Sequence, residues 1–556
     1  MTRTLRRCLK MAALCTLGLM LSASPALAKD LVIGITQYPS TFHPNIDSML
    51  AKSYVHGLTR RPITVTDADW TLQCMLCTSL PRLENGGAVL EKTPDGKDGI
   101  AVTYTLHPDA VWGDGVPVSV DDVIFTWEVG KHPQSGVASA EGYRRILDID
   151  RIDDKTFTLH VDRRTFDYND ISSLNLLPAH IERDKFKDPT TYRTQTALDT
   201  APTTPGLYMG PYVMTKAETG SFMVFEKNPR WWGKAPAFDK ITVRVIENTA
   251  TLEANLLSGS IDMIAGELGL NVDQALAFEQ RHGDRFHVQF NPGLIYEHID
   301  LMLDNPILAD RRVRQALMYA LDRKVISERL FGGKQPVADT GVNPLDWVYA
   351  DDVPRYPRDL KKAADLLDAA GWTRRGKDVR TNAAGAPLRF TLMTTAGNRT
   401  RELVQQVLQS QWKAAGIDVR INNEPARVFF GETVTKRKFE AMAMFAWISA
   451  PESVPRTTLH SDEIPTEANN WSGQNYTGYK NPDLDKILET IELELDRSKR
   501  KEMWRALQHI YATELPALPL YFRANAFIMP PWLAGIRPTG HQYPTTLWVE
   551  DWTVKK

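Results

Sequence analysis

Along the whole chain, segments with the two-residue hydrophobic period of a strand alternate with segments carrying the 3.6-residue period of a helix. Leu31, Ile33 and Ile35 share one face of a strand at residues 30–36, which ends before Pro39. A helix follows at 49–58 and a strand at 101–106, which runs into a turn region around Gly113-Asp-Gly115. Ser119, Asp121 and Asp122 open a helix over 123–129, with the carboxylates at its positive end. Strands are expected within 146–161, 212–226 and 241–246, and a helix at 251–257 closed by Gly259. Further on, helices are expected at 310–331, 361–370 with Gly371 behind, and 401–415 with Gly416 behind, and short strands at 388–393 and 419–421. Pro482 starts another helix, and the last long one stops before Pro516, followed by an irregular tail. Residues 183–206, polar and rich in Thr and Pro, read as a connection between lobes. No repeat, heptad run or low-complexity tract interrupts this mixture, so the fold class is α/β with several lobes.

The N-terminus reads as a secretion signal. Arg3, Arg6, Arg7 and Lys10 precede an apolar run at 11–21, and Ala26-Leu-Ala28 offers a small-x-small cleavage site. That run is too short for a bilayer, which needs roughly 20 apolar residues. Leu14 before Cys15 does not fit a lipoprotein processing site, so no lipid anchor is expected. Cleavage after residue 28 leaves 556 − 28 = 528 residues, more than one core can serve. The leader removes four basic and no acidic residues, so 66 − 4 = 62 Lys+Arg face 68 Asp+Glu and the mature net charge is near −6. Such a balance argues against a nucleic-acid partner and against a polybasic membrane foot.

Cys74-Met-Leu-Cys77 holds the two cysteines that remain. It reads as a local disulfide or as two small buried residues; a redox dithiol or half a zinc site are the sharper alternatives. No second C-x-x-C or nearby His pair completes a zinc set. The chain also lacks a Gly-x-Ser-x-Gly elbow, a His-Glu-x-x-His and a P-loop, so it is not read as an enzyme. His298 and Asp300 fall on one face of an alternating strand, a pattern that fits a buried hydrogen bond.

Asp310-Arg-Arg-Val-Arg-Gln-Ala-Leu-Met-Tyr-Ala-Leu-Asp-Arg323 places Val313, Leu317 and Leu321 on one stripe, flanked by Ala316 and Ala320, behind an N-cap at Asp310. The stretch resembles the signature of the peptide/nickel family of extracytoplasmic solute-binding proteins, the receptors of ABC importers. Other blocks keep that family's order: residues 104–123, Gly210-Pro-Tyr212, residues 227–233, Leu257-Ser-Gly-Ser-Ile-Asp262, residues 296–300 and residues 362–371. The resemblance implies a two-lobed periplasmic-binding-protein fold with an extra third sub-domain and a ligand cleft between the lobes. Lobe I would be assembled from 29–66, 190–286 and 515–556, the inserted sub-domain would be 67–189, and the second lobe 287–514. It also implies a periplasmic monomer without cofactor. Such a protein captures a peptide or similarly sized solute by hinge closure and hands it to permease subunits in the inner membrane.

In peptide-binding relatives a strand ending G-W-x-x-D lines the cleft, and its Asp pairs with the peptide ammonium. The matching stretch here is Phe445-Ala-Trp-Ile-Ser-Ala-Pro-Glu-Ser453: Trp447 matches the Trp, but Ala450 stands at the Asp position. Glu452, two residues on, is the nearest substitute. The expected ligand-binding set is Trp447, Ser449, Ala450 and Glu452 with the aromatic residues Tyr38, Phe42 and Tyr296; Arg427 and Arg456 are candidates for a ligand carboxylate or are solvated surface arginines. Because of Ala450, a receptor for a non-peptide solute such as a metal chelate is the alternative, and a secreted hydrolase a further one.

Overall fold

A ten-stranded mixed sheet runs through both lobes of the computed structural model, which describes residues 30–46, 49–137, 140–376, 378–425, 428–469 and 473–555. The leader at 1–28 and Arg427 lie outside the described residues. Across the sheet the order is Asp418–Ile421, Arg389–Met393, Met442–Ile448, His287–Leu301, Ala517–Met529, Met263–Ile264, Asp30–Ile35, Lys240–Val245, Phe222–Lys227 and Tyr212–Glu218. Ala517–Met529 contributes to two cores, with Leu518, Leu520, Tyr521 and Ala524 in one and Phe527 and Met529 in the other, and Ile528 stands opposite Ile264 at the seam. In Asp30–Ile35, Leu31, Ile33 and Ile35 are fully buried, as their alternation requires. A separate four-stranded antiparallel sheet is ordered Ala88–Lys92, Asp98–Thr105, Thr156–Val161, Ile146–Arg151. The helix Val120–Lys131 accompanies it, opened by a capping box in which Asp122 answers Ser119. Asp122 Oδ2 also receives Trp112 Nε1 at 3.1 Å, which ties the cap to the core of that sheet. Cys74 and Cys77 are joined through their sulfur atoms, with Cα atoms 5.1 Å apart.

Three segments differ from the sequence reading. The 310–331 helix is two helices, Arg311–Tyr319 and Arg323–Phe331. Asp322 is a second N-cap that accepts the Val325 amide at 3.0 Å, so the chain turns where the apolar stripe alone would continue. Leu321 stays buried with Val313 and Leu317 in the same core. Residues 183–206 carry short helices, including Pro189–Gln195 and Ala197–Thr200, whose polar residues serve as caps: Asp188 accepts the Thr190 amide and Thr196 the Leu198 amide. Tyr192, Ala197 and Leu198 are buried in the core around Asp30–Ile35.

The tail is not irregular: Ala517–Met529 is a long central strand. Its side chains are nearly all buried on both faces, so no alternation betrays it. Pro519 sits opposite His298 where the register shifts, and a bulge is where a central strand tolerates proline. A second shift, between Pro292 and Ile295, pushes Gly293 against Gly540. A Cβ on Gly293 would lie 2.5 Å from the Gly540 carbonyl oxygen, so only glycine fits there.

One buried ion pair bolts the second lobe together. Glu297, 1 % exposed, receives Arg401 Nε at 2.6 Å and Nη2 at 3.2 Å, with Arg523 Nη1 at 3.9 Å. Burial pushes the Glu297 carboxyl up, but the two guanidinium groups outweigh it and hold it below the ordinary range. This contribution is therefore complete above the unfolded glutamate value of about 4.3 and is lost as pH falls through the lowered folded value. Arg401→Ala leaves a buried carboxylate with one distant partner and is expected to cost about 3–5 kcal/mol at pH 7 by urea unfolding. That cost should shrink on acidification, as Glu297 becomes protonated.

Candidate functional site

The strand His287–Leu301 pairs antiparallel with Met442–Ile448, setting Tyr296 opposite Trp447, His298 opposite Phe445 and Asp300 opposite Ala443. Alternate residues of a strand point to one side, so these six share a face. The other face carries Ile299, Leu301, Met442 and Met444 into the core, and Glu297 to Arg401. On the first face lies a cavity of about 190 Å³, lined by Tyr296, His298, Asp300, Trp447 and Ser449 from this strand pair. Thr340–Val342, the turn after the second strand, and Gln508 and Tyr511 of the helix Arg497–Glu514 complete it.

Rings form a row along this wall. Tyr296 stacks on His298 at 5.0 Å between centroids, His298 on Trp447 at 6.5 Å, and Trp447 on Tyr476 at 5.8 Å. The Tyr296 hydroxyl meets that of Tyr511 at 2.9 Å, and burial pushes both phenols above their usual range. Rings whose edges are fixed this way present broad apolar contact with little conformational entropy to lose. His298 Nε2 lies 3.1 Å from Asp300 Oδ1, and its Nδ1 3.3 Å from the Tyr296 carbonyl oxygen.

The expected site residues separate into three groups. Tyr296, Trp447 and Ser449 line the cavity together. Tyr38 and Phe42 do not: they pack edge to face at 5.9 Å against the core around Asp30–Ile35. Ala450 follows the lining strand, and beyond Pro451 the chain turns at Glu452 with φ of 53°. That turn gives the Glu452 amide to Asp346 Oδ2 at 2.8 Å and its carboxylate to Trp347 Nε1 at 3.0 Å and to Arg500 Nε. Burial raises the Glu452 carboxyl, opposed by Arg500, and its charge is spent inside the lobe. Arg456 begins a short helix, Arg456–Leu459, and also lies outside the cavity lining. Sequence reasoning took His298 and Asp300 only as a structural pair and missed Thr340, Gln508 and Tyr511. The signal for the first two was the Tyr296-x-His298-x-Asp300 alternation; the others carry none, since they reach the site from distant helices and loops.

A second hollow, about 530 Å³, is lined from the other side by Lys52, His56, Arg60, Tyr143 and Tyr543 among others. Ile448 lines both spaces. No carboxylate stands among the residues of this second lining. Burial, with Arg60 and Lys52 close by, holds the His56 imidazole well below its ordinary value, and burial lowers Arg60 to about 10. Elsewhere Phe166 donates its amide to the Glu492 carbonyl at 2.9 Å, and Arg500 lies over the Phe166 ring at 4.3 Å.

Comparison with known proteins agrees with this architecture. Residues 87–464 match the bacterial extracellular solute-binding proteins, family 5. A crystal structure of the oligopeptide-binding protein from Thermus thermophilus complexed with a pentapeptide superposes with a TM-score of 0.81 at 29% identity, covering 95% of this chain and 97% of that one. The oligopeptide-binding protein AppA of Bacillus subtilis is 25% identical over 535 residues, 93% of this chain and 90% of its own. The nickel-binding periplasmic protein of Escherichia coli is 25% identical over 84% of this chain and 87% of its own.

Glu452→Gln keeps the shape of the turn but removes the charge that neutralises Arg500. Its expected effect is a stability loss of about 1–3 kcal/mol in urea unfolding. A variant as stable as the wild type would show that the Arg500 contact carries no weight.

Proposed function

This chain belongs to the bacterial extracellular solute-binding proteins of family 5, and on that premise we propose that it is the substrate-binding component of an ABC importer. It captures a peptide or peptide-sized solute between its lobes and releases it, chemically unaltered, to a permease. The observation that carries this reading is the cavity walled by Tyr296 and Trp447 and joined at Ile448 to a hollow on the facing lobe. Fixed aromatic walls with few charges suit varied side chains, and the cationic residues Lys52 and Arg60 opposite suit a solute's anionic end.

Closure works through a hinge at the crossing strands His287–Leu301 and Ala517–Met529. The solute stabilises the closed form only through contacts that are better there, such as those reaching both Trp447 and the facing lobe. We divide the chain into a first lobe of 29–66, 190–286 and 515–556, an inserted 67–189 and a second lobe of 287–514; the separate core around the four-stranded sheet supports the insertion. Leu515, Leu518, Leu520, Tyr521 and Ala524, however, pack in the core of Ile299 and Leu301, so the boundary near 515 moves to about 525. Cleavage of the leader places the working protein in the periplasm as a monomer. Among the described residues no helix is long and apolar enough to cross a membrane.

A metal chelate is the second reading, favoured by the His298 imidazole in the cavity wall. Since no group of three His, Cys, Asp or Glu able to hold a metal occurs among the described residues, such a ligand would arrive as a complete complex. Thermal-shift screening against short peptides and metal chelates separates the two. A solute at about a hundred times its Kd adds roughly 2.7 kcal/mol of apparent stability. Peptides are expected to raise the melting temperature and to be recovered at unchanged mass. Trp447→Ala is expected to weaken that affinity by about tenfold. Stabilisation by chelates alone would favour the second reading, and cleaved peptide would end the carrier reading.

A further inference from the structure

We propose that Asp300 is the group that anchors a cationic amine of the solute, taking over the part left vacant by Ala450; this rests on the peptide reading above. Asp300 is 5 % exposed, and the space it faces is the cavity. Among the described residues its carboxylate has one close polar neighbour, His298 Nε2 at 3.1 Å, and no Lys or Arg pairs with it. Every other residue lining the cavity besides His298 is uncharged. A carboxylate so far removed from water costs several kcal/mol unless a positive group meets it. Glu297, three residues earlier on the opposite face, has that group in Arg401. Asp300 has none of comparable strength among the described residues, and the side from which one can arrive is the cavity.

The local geometry leaves room for it. Ala443, opposite Asp300 in the strand pair, projects only a methyl group, and Thr340, Gly341 and Thr477 are the small residues nearby in the lining. The rings of Tyr296 and Trp447 stand on the same face, and aromatic faces attract an ammonium ion. His298, stacked on Tyr296, stands with its Nε2 3.1 Å from the carboxylate but with no hydrogen-bond partner for that atom among the described residues, which leaves the carboxylate open to a solute amine. Glu452 is the rival acid, but Arg500 and Trp347 already occupy both its oxygens.

The test uses the full mature chain, equilibrium dialysis and mass spectrometry. One arm offers an equimolar mixture of lysine-free tri- to hexapeptides with free amino termini; the other offers the same mixture N-acetylated. Free-amine peptides are expected to be retained about tenfold better or more, the scale of one hydrogen bond to a charged group. In Asp300→Asn that preference is expected to vanish, while in Glu452→Gln it persists. Equal retention of both mixtures by the wild type leaves the peptide reading standing and overturns this inference. Retention of neither overturns the peptide reading and this inference with it. A preference that survives Asp300→Asn, or one lost in Glu452→Gln, removes Asp300 as the anchor, and the second comparison stands even where Asp300→Asn fails to fold.

Discussion

The antiparallel pairing of His287–Leu301 with Ala517–Met529 is the constraint on which the remaining architecture depends. These two strands are long enough to belong to both lobes, and they carry the second lobe's sheet to its seam at Ile264 and Ile528. Their register shifts at Pro292/Ile295 and Glu297/His298 bend the pair at two places. Both bends have their spare backbone groups satisfied: the Leu294 amide reaches the Gly540 carbonyl at 2.6 Å, and the Leu520 carbonyl accepts the Ala338 amide at 3.2 Å. At the first of these bends the chain passes Gly540 at Gly293, where a Cβ would lie 2.5 Å from the Gly540 carbonyl oxygen.

The same strand gives two carboxylates opposite fates. Glu297 points into the core and is neutralised by Arg401 and Arg523. Asp300 points the other way, to a cavity with a single imidazole for company. The first arrangement favours the folded state; the second leaves binding free energy for a guest that brings positive charge. Glu452 shows that an acid placed near the site by the sequence is no guide to its use, because a left-handed turn gives its charge to Arg500.

Much of the local structure was legible. Strand alternation at Leu31, Ile33 and Ile35, the cap at Asp310, the capping box at Ser119 and the glycines behind three helices all act within a few residues of themselves. Where reading failed, a longer-range or competing interaction decided. Asp322 captured a local amide and split one helix into two, and Thr196 and Asp188 turned polar linker-like sequence into capped helices. Ala517–Met529 hid its identity because a strand buried on both faces has no polar side to display. Tyr38 and Phe42 looked like cleft aromatics and serve the core instead, since exposure is set by what packs on top of them.

From its residues alone this protein is an α/β chain of more than one core with an alternating strand at His298 and Asp300, because period, caps and composition are properties of neighbours in sequence. That Tyr296 stands beside Trp447, that Tyr511 closes the wall behind them, and that Asp300 rather than Glu452 faces the cavity were decided only by tertiary structure. Those residues are separated by up to 215 positions along the chain. What unites them is strand pairing, a contact between segments that no local pattern encodes.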